Sequence, residues 1–173
     1  KSPPRERGTK MLKIKEKLWM YTPRTDRKIL IAGHLLRQSM MGSDLSYEDM
    51  MEDHKLSKSY SATFDSFTNL GTVKCALLNL TARGKKTTYQ TRKVWVNPED
   101  KTVLKEERFA KSGKLLKRIL FKDYETISGR KFPRTMIFKD LLKKNTKTTY
   151  KFDVIKFDIV IPPGYFSQSI LKR

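Results

Sequence analysis

Few residues in this chain have the means for covalent chemistry. Between Gln38 and His54 there is no Lys or Arg, although the whole chain has 38 of them against 18 Asp plus Glu, a net charge of +20. Five acids, Asp44, Glu48, Asp49, Glu52 and Asp53, occupy that gap together with four methionines, Leu45 and Tyr47. On a helix Asp44, Glu48 and Glu52 fall at i, i+4 and i+8, with His54 close by, a spacing open to a hard cation. Carboxylates without an ordered loop of backbone carbonyls make poor calcium ligands, so the acidic side reads as solvated or partner-facing, and no metal or cofactor is expected. Catalysis has no better footing. Cys75 lies in the apolar run Val73-Lys-Cys-Ala-Leu-Leu78 without a visible base, a setting that raises a thiol pKa. No Gly-x-Ser-x-Gly turn, phosphate-cradling loop or Cys/His metal spacing occurs. The chain is expected to bind, not to catalyse.

Binding chemistry points first to the methionines. Met40, Met41, Met50 and Met51 sit in the one stretch that reads as helical. Ser46, three residues before Asp49, fits the acidic variant of a capping box, and Gly42 permits a sharp bend just ahead of it. Leu45, Met50 and Met51 supply an apolar side, and His54 and Lys55 fall at the negative end of the helix dipole. This is either an ordinary capped surface helix or a lid, about residues 35–55, over an apolar surface. Methionine favours the second reading because it is flexible, polarizable and tolerant of variable apolar partners.

The net charge raises an alternative. Basic proteins attract nucleic acid, anionic membranes or acidic partners, and the sign alone does not choose. Aromatics interleave with cations in Arg92-Lys-Val-Trp95 and Arg108-Phe109, and β-barrels can stack bases on such platforms. Against nucleic acid, the positive charge is spread over almost every strand, and the acidic segment would repel phosphates.

The elements that must position these residues are mostly strands. A length of 173 residues suits one domain. Short strands are expected over Met11–Ile14, Leu18–Tyr21 and Arg27–Ala32. A meander follows, punctuated at Asn69–Gly71, Arg83–Lys85, Asn97–Asp100, Lys111–Lys114, Ser128–Gly129 and Lys144–Thr146. Regular short strands argue a mainly β fold, a curved antiparallel sheet or incomplete barrel. Alternation pairs Met136 with Phe138, and Tyr150 with Phe152 and Val154 in a strand Tyr150–Ile155. Val94 and Val96 share one face and Trp95 the other. Several strands put Lys or Arg on the second face, which is therefore expected to be solvated and basic.

Leu18-Trp-Met-Tyr-Thr-Pro23, Arg27-Lys-Ile-Leu-Ile31 and Gln38-Ser-Met-Met-Gly-Ser-Asp-Leu-Ser-Tyr-Glu-Asp49 together resemble the bacterial outer-membrane lipoprotein-sorting family, in its LolA-like branch. Leu45 stands where that family usually has Phe, which keeps the apolar bulk. The ending Ile161-Pro-Pro-Gly-Tyr-Phe-Ser-Gln-Ser-Ile-Leu171 is similar too, so the resemblance spans nearly the whole chain.

The resemblance implies a carrier that is periplasmic, free or associated with the outer membrane, with an incomplete β-barrel, a helical lid and an apolar cavity. It also implies lipidated proteins or free lipid as cargo, with an inner-membrane transporter and an outer-membrane acceptor as partners. Family members carry a signal sequence, a helix and further strands ahead of the equivalent position, so residues 1–173 are expected to be one domain lacking its front. Candidate cavity residues are Trp19, Tyr21, Met40, Met41, Leu45, Trp95, Phe121, Met136, Phe138 and Phe152. Arg37, Gly42, Ser43, Asp44 and Asp49 match the family pattern and are expected to place the lid: Gly42 by bending, Ser43 or Ser46 by capping, and Asp44 by pairing with Arg37.

Overall fold

Among the described residues, alternating apolar residues and regularly spaced turn signals become ten strands, all paired antiparallel in two sheets, neither of them closed. The computed structural model describes residues 7–52, 56–84 and 87–172. The chain forms two compact units, Lys1–Glu52 with Asp158–Arg173, and Asp53–Phe157.

The smaller unit is built on β1 (Lys10–Ile14), β2 (Lys17–Thr22) and β3 (Arg27–Ile31), in that order. Leu12, Trp19 and Leu30 are opposite one another in register and share a face. On that side the Lys28 ammonium donates to the Gln168 amide oxygen at 2.9 Å, docking the terminal 3-10 turn Gln168–Lys172, whose Leu171 is buried. The other face, with Lys13 and Met20, receives α1 (Tyr47–Met51). The Tyr47 hydroxyl donates to the Met20 sulfur at 3.5 Å, and the Lys13 ammonium to the Met51 carbonyl at 2.8 Å.

The larger unit begins with one turn of helix, α2 (Leu56–Ser59). A seven-stranded meander follows: β4 (Tyr60–Leu70), β5 (Val73–Ala82), β6 (Thr91–Val96), β7 (Val103–Phe109), β8 (Leu115–Ile127), β9 (Arg130–Asp140) and β10 (Thr148–Lys151). Each strand pairs with its sequence neighbour, leaving β4 and β10 as edges. Register shifts at Phe64/Ser66, Trp95/Val96 and Arg108/Phe109 insert bulges, which bend and twist a sheet.

Two expectations about elements change. The stretch 35–55 is not one helix: α1 has five residues, preceded by the 3-10 turns Gly33–Arg37 and Met40–Gly42. Met41 and Gly42 both have left-handed backbone (φ 49° and 73°), which a continuous helix cannot contain. His54 and Lys55, assigned to its end, lie outside the described residues. The last strand stops at Lys151 instead of Ile155 because the Arg134 guanidinium takes the carbonyls of Phe152 and Asp153, each at 2.9 Å.

Candidate functional site

Strand register decides which side chains of the seven-stranded sheet act together. Phe121 lies opposite Met136, which lies opposite Tyr150, and Ile119 lies opposite Phe138, so these residues form a half-buried to buried apolar row across β8, β9 and β10. Phe138 meets the Tyr150 ring edge-on at 5.7 Å. Just past β10, Phe152 packs edge-on against Phe132 at 5.5 Å. On the same face, toward the opposite edge, Tyr60, Leu80 and Val94 are buried together, with Leu56 of α2 against them. Beyond them Phe64 and Phe67, in edge contact at 5.2 Å, remain 58% and 56% exposed. Among the described residues of the larger unit, no second sheet lies over this face.

Between the two apolar regions sits a group of charges that the strand alternation alone did not predict to be buried. Arg92, Glu106 and Arg108 are 1%, 5% and 9% exposed. Glu106 Oε1 accepts from Arg92 Nη1 at 2.6 Å and from Arg108 Nε at 2.8 Å. Arg92 Nη2 donates to the Tyr60 hydroxyl at 2.9 Å, which donates in turn to the Tyr89 carbonyl at 2.8 Å. The Arg92 guanidinium lies 4.5 Å from the Tyr60 ring centre, and that of Arg108 lies 5.2 Å from the Tyr89 ring. Burial pushes the Glu106 carboxyl up, but Arg108 and Arg92 beside it more than reverse this, so it is held below the usual carboxylate range. Burial drives the Tyr60 phenol up to about 12.

Cations expected on the second face are exposed there at Lys93, Lys122, Lys139 and Lys151, but Arg92 and Arg108 lie on the apolar face. Arg92 shares a face with Val94 and Val96, and only a pairing carboxylate on β7 makes its burial tolerable. The signal was present in the period-2 alternation, which already sets Arg92 beside Val94 and opposite Trp95. Arg92 and Trp95 project to opposite faces, as do Arg108 and Phe109, whereas Lys93 shares the face of Trp95.

Trp95 lies on the other face from Phe121, Met136 and Phe138. It is opposite Leu77 and Lys105, and the Lys105 ammonium lies 3.9 Å from its ring centre. An open groove of about 290 Å³ in this unit is bordered by Asn79, Thr81, Thr91, Lys93, Phe109 and Gly113, a mixed lining distinct from the apolar row.

In the smaller unit the motif is a tied knot. The Ser46 hydroxyl accepts from the Asp49 N–H at 3.2 Å, and Asp49 Oδ2 accepts from the Ser46 N–H at 2.7 Å, which completes the capping box. Ser43 accepts from the Leu45 N–H at 3.2 Å, closing the turn before the cap. Met40, Asp44, Leu45, Ser46 and Tyr47 are buried, and Met41 is half-buried. Met50, expected on the apolar side, is 42% exposed. Arg37 is exposed at the end of its 3-10 turn, whereas Asp44 is buried. Trp19 and Tyr21 are half-buried on β2, the Tyr21 hydroxyl donating to Asp26 at 3.0 Å. Among the described residues no group of acids, histidines and cysteine is arranged to hold a metal ion, and Asp53 and His54 lie outside those residues.

A family model described as "Uncharacterized protein" matches residues 1–173. The chain belongs to that family. No curated protein matches the sequence. Among solved structures, a DUF1329 family protein from Desulfovibrio piger superposes with a TM-score of 0.86 at 25% identity, covering 98% of this chain and 73% of its own. A putative outer membrane lipoprotein-sorting protein domain from Vibrio parahaemolyticus gives 0.82 at 22% identity, covering 99% and 74%. A LolA superfamily protein from Nitrosomonas europaea gives 0.76 at 23%, covering 97% and 74%. The family's fold in this chain is thus LolA-like, as the Leu18–Pro23 and Gln38–Asp49 motifs implied.

Proposed function

We propose that this protein is a non-enzymatic carrier that takes up the acyl chains of lipidated proteins or of free lipid. The supporting observation is the in-register row Phe121–Met136–Tyr150 with Ile119–Phe138, on a sheet face for which its own unit supplies no second layer. Each methylene moved from water onto such a face contributes about 0.8 kcal/mol without directional demands, so cargoes of different shape are accepted. The likeness to a lipoprotein-sorting domain favours lipoproteins as cargo, the periplasm as location, and an inner-membrane transporter and outer-membrane acceptor as partners. Loading and release then need conformational adjustment and a competing acceptor, not bond-making. We assign Phe121, Met136, Phe138 and Phe152 to acyl contact, and give the Gly42–Asp49 motif a supporting role whose integrity uptake requires.

The test is displacement of a fluorescent fatty acid by saturated acids of increasing length. Affinity should rise about fourfold per methylene, the equivalent of 0.8 kcal/mol. Met136→Glu, which puts a charge between Phe121 and Tyr150, should abolish uptake, and Phe138→Ala should weaken it without unfolding the sheet. A parent protein showing no saturable uptake, or uptake indifferent to chain length, ends the proposal.

A further inference from the structure

The second face of the seven-stranded sheet carries an arrangement that acyl binding does not use. Lys93 lies opposite Glu107, Glu107 opposite Arg118, and Arg118 opposite Lys139, one row across β6 to β9. Lys122 and Lys151 flank Thr135 in a parallel row, and Lys105 lies between the rows beside Leu120. These six cations share the face with two acids, both already engaged. Glu107 is buried beneath Lys105 (3.0 Å) and Arg118 (2.8 Å), and Asp65 accepts from Asn79 and Ser66, each at 2.8 Å. Lys93, Lys122, Lys139 and Lys151 are exposed, and near the rim Lys131 is spent on Asp100 at 2.7 Å.

We infer that this face rests on an anionic phospholipid surface, which brings the carrier to the bilayer from which its cargo is drawn. The choice of a bilayer over an acidic protein rests on the cation type and on the apolar lane between the rows. Five of the six are lysines, which protein–protein interfaces exclude from their centres but which suit diffuse attraction to mobile headgroups. Arg, whose fork grips a fixed phosphate or carboxylate, appears once, and it already holds Glu107. Trp95, Leu120 and Ile137 are half-buried and Leu77 is buried, so there is no protruding apolar anchor for a protein partner. The need for a bilayer, though not the charge pattern, rests on the carrier reading above.

The experiment is co-sedimentation with vesicles of phosphatidylglycerol and phosphatidylethanolamine at 1:3 or of phosphatidylcholine alone, with fatty-acid uptake measured on the same samples. Each lysine near an anionic surface is worth about fivefold in partitioning, so Lys93→Gln/Lys139→Gln/Lys151→Gln should weaken binding to anionic vesicles by roughly 100-fold. A control of equal charge, Lys17→Gln/Arg24→Gln/Arg27→Gln on exposed sites of the smaller unit, should change it by no more than a few-fold. Equal losses in the two triples would mean that net charge alone attracts vesicles, and would overturn the inference. So would absence of vesicle binding, including the case where an acidic polypeptide or a single-stranded oligonucleotide is retained instead. Fatty-acid uptake should be the same in parent and triple. If the parent takes up no fatty acid but its vesicle binding is lost only in the sheet-face triple, the carrier reading falls and this one stands.

Discussion

Replacing Glu106 with Gln is the sharpest test of how the larger unit is held together. The carboxylate is 5% exposed, and a single oxygen serves two guanidiniums, that of Arg92 at 2.6 Å and that of Arg108 at 2.8 Å. Gln keeps the shape but removes the charge, leaving Arg92, 1% exposed, in a low-dielectric setting without its main counter-charge. Breaking a buried pair in this way costs roughly 3–5 kcal/mol, a large share of the 5–15 kcal/mol that typically stabilises a domain. With a urea m-value of about 2 kcal/mol per molar, the unfolding midpoint should fall by about 2 M with little change in slope. Trp95 lies on β6, the strand that carries Arg92, so its fluorescence in a Trp19→Phe background reports this unit alone. Acid supplies the second arm. Because the folded Glu106 pKa is depressed, its contribution is complete above the ordinary Glu value near 4.3 and is lost as pH falls through the folded value. The parent should therefore lose its advantage over Glu106→Gln in acid. A variant within 1 kcal/mol of the parent at pH 7, or an unchanged gap at pH 3, would refute the reasoning.

Other perturbations probe single features. Gly42→Val should destabilise the smaller unit by about 1–2 kcal/mol through backbone strain alone, since a Cβ there meets nothing within 4 Å. Fatty-acid uptake should weaken with it; if uptake is untouched while Trp19 fluorescence reports the strain, the motif has no part in binding. Ser46→Ala removes one half of the capping box and should cost about 1 kcal/mol in urea unfolding, whereas Ser43→Ala, which loses the turn contact to Leu45, should cost less. Cys75 is fully buried and burial pushes its thiol up, so a thiol reagent such as Ellman's should react only as the protein unfolds. Reaction of the native protein at the rate of a free thiol would contradict that placement.

Most of the framework was legible because strands and turns write themselves locally. Period-2 alternation set Met136 with Phe138 and Trp95 against Val94, and Gly71, Ser128–Gly129 and Lys144–Thr146 lie in the connections between strands. Ser46 and Asp49 could be read as a cap because both partners lie within one turn. Features made by distant residues were not readable in the same way. The strand expected to run to Ile155 ends early because Arg134, on the neighbouring strand, captures two carbonyls. The helix expected over residues 35–55 shrinks to Tyr47–Met51 because Met41 takes a left-handed backbone that its residue type disfavours. Burial of Arg92 depends on Glu106 arriving from β7 in register, and composition cannot express register.

That register also explains how a chain of net charge +20 keeps an apolar sheet face at all. Alternation sends each strand's charges to one of two destinations. On the apolar face they are paired in place: Arg92 and Arg108 share Glu106, Lys117 meets Asp140 at 3.0 Å, and Arg134 meets Glu125. On the opposite face Lys93, Lys122, Lys139 and Lys151 remain in solvent. Screening at physiological ionic strength acts over about 8 Å and reaches the exposed lysines, but it barely touches pairs held in contact under cover. Salt should therefore strip the protein from an anionic surface while leaving fatty-acid affinity nearly constant. If 0.5 M salt lowered both in parallel, the two faces would not be doing separate jobs, and the cations would have to be part of the acyl site.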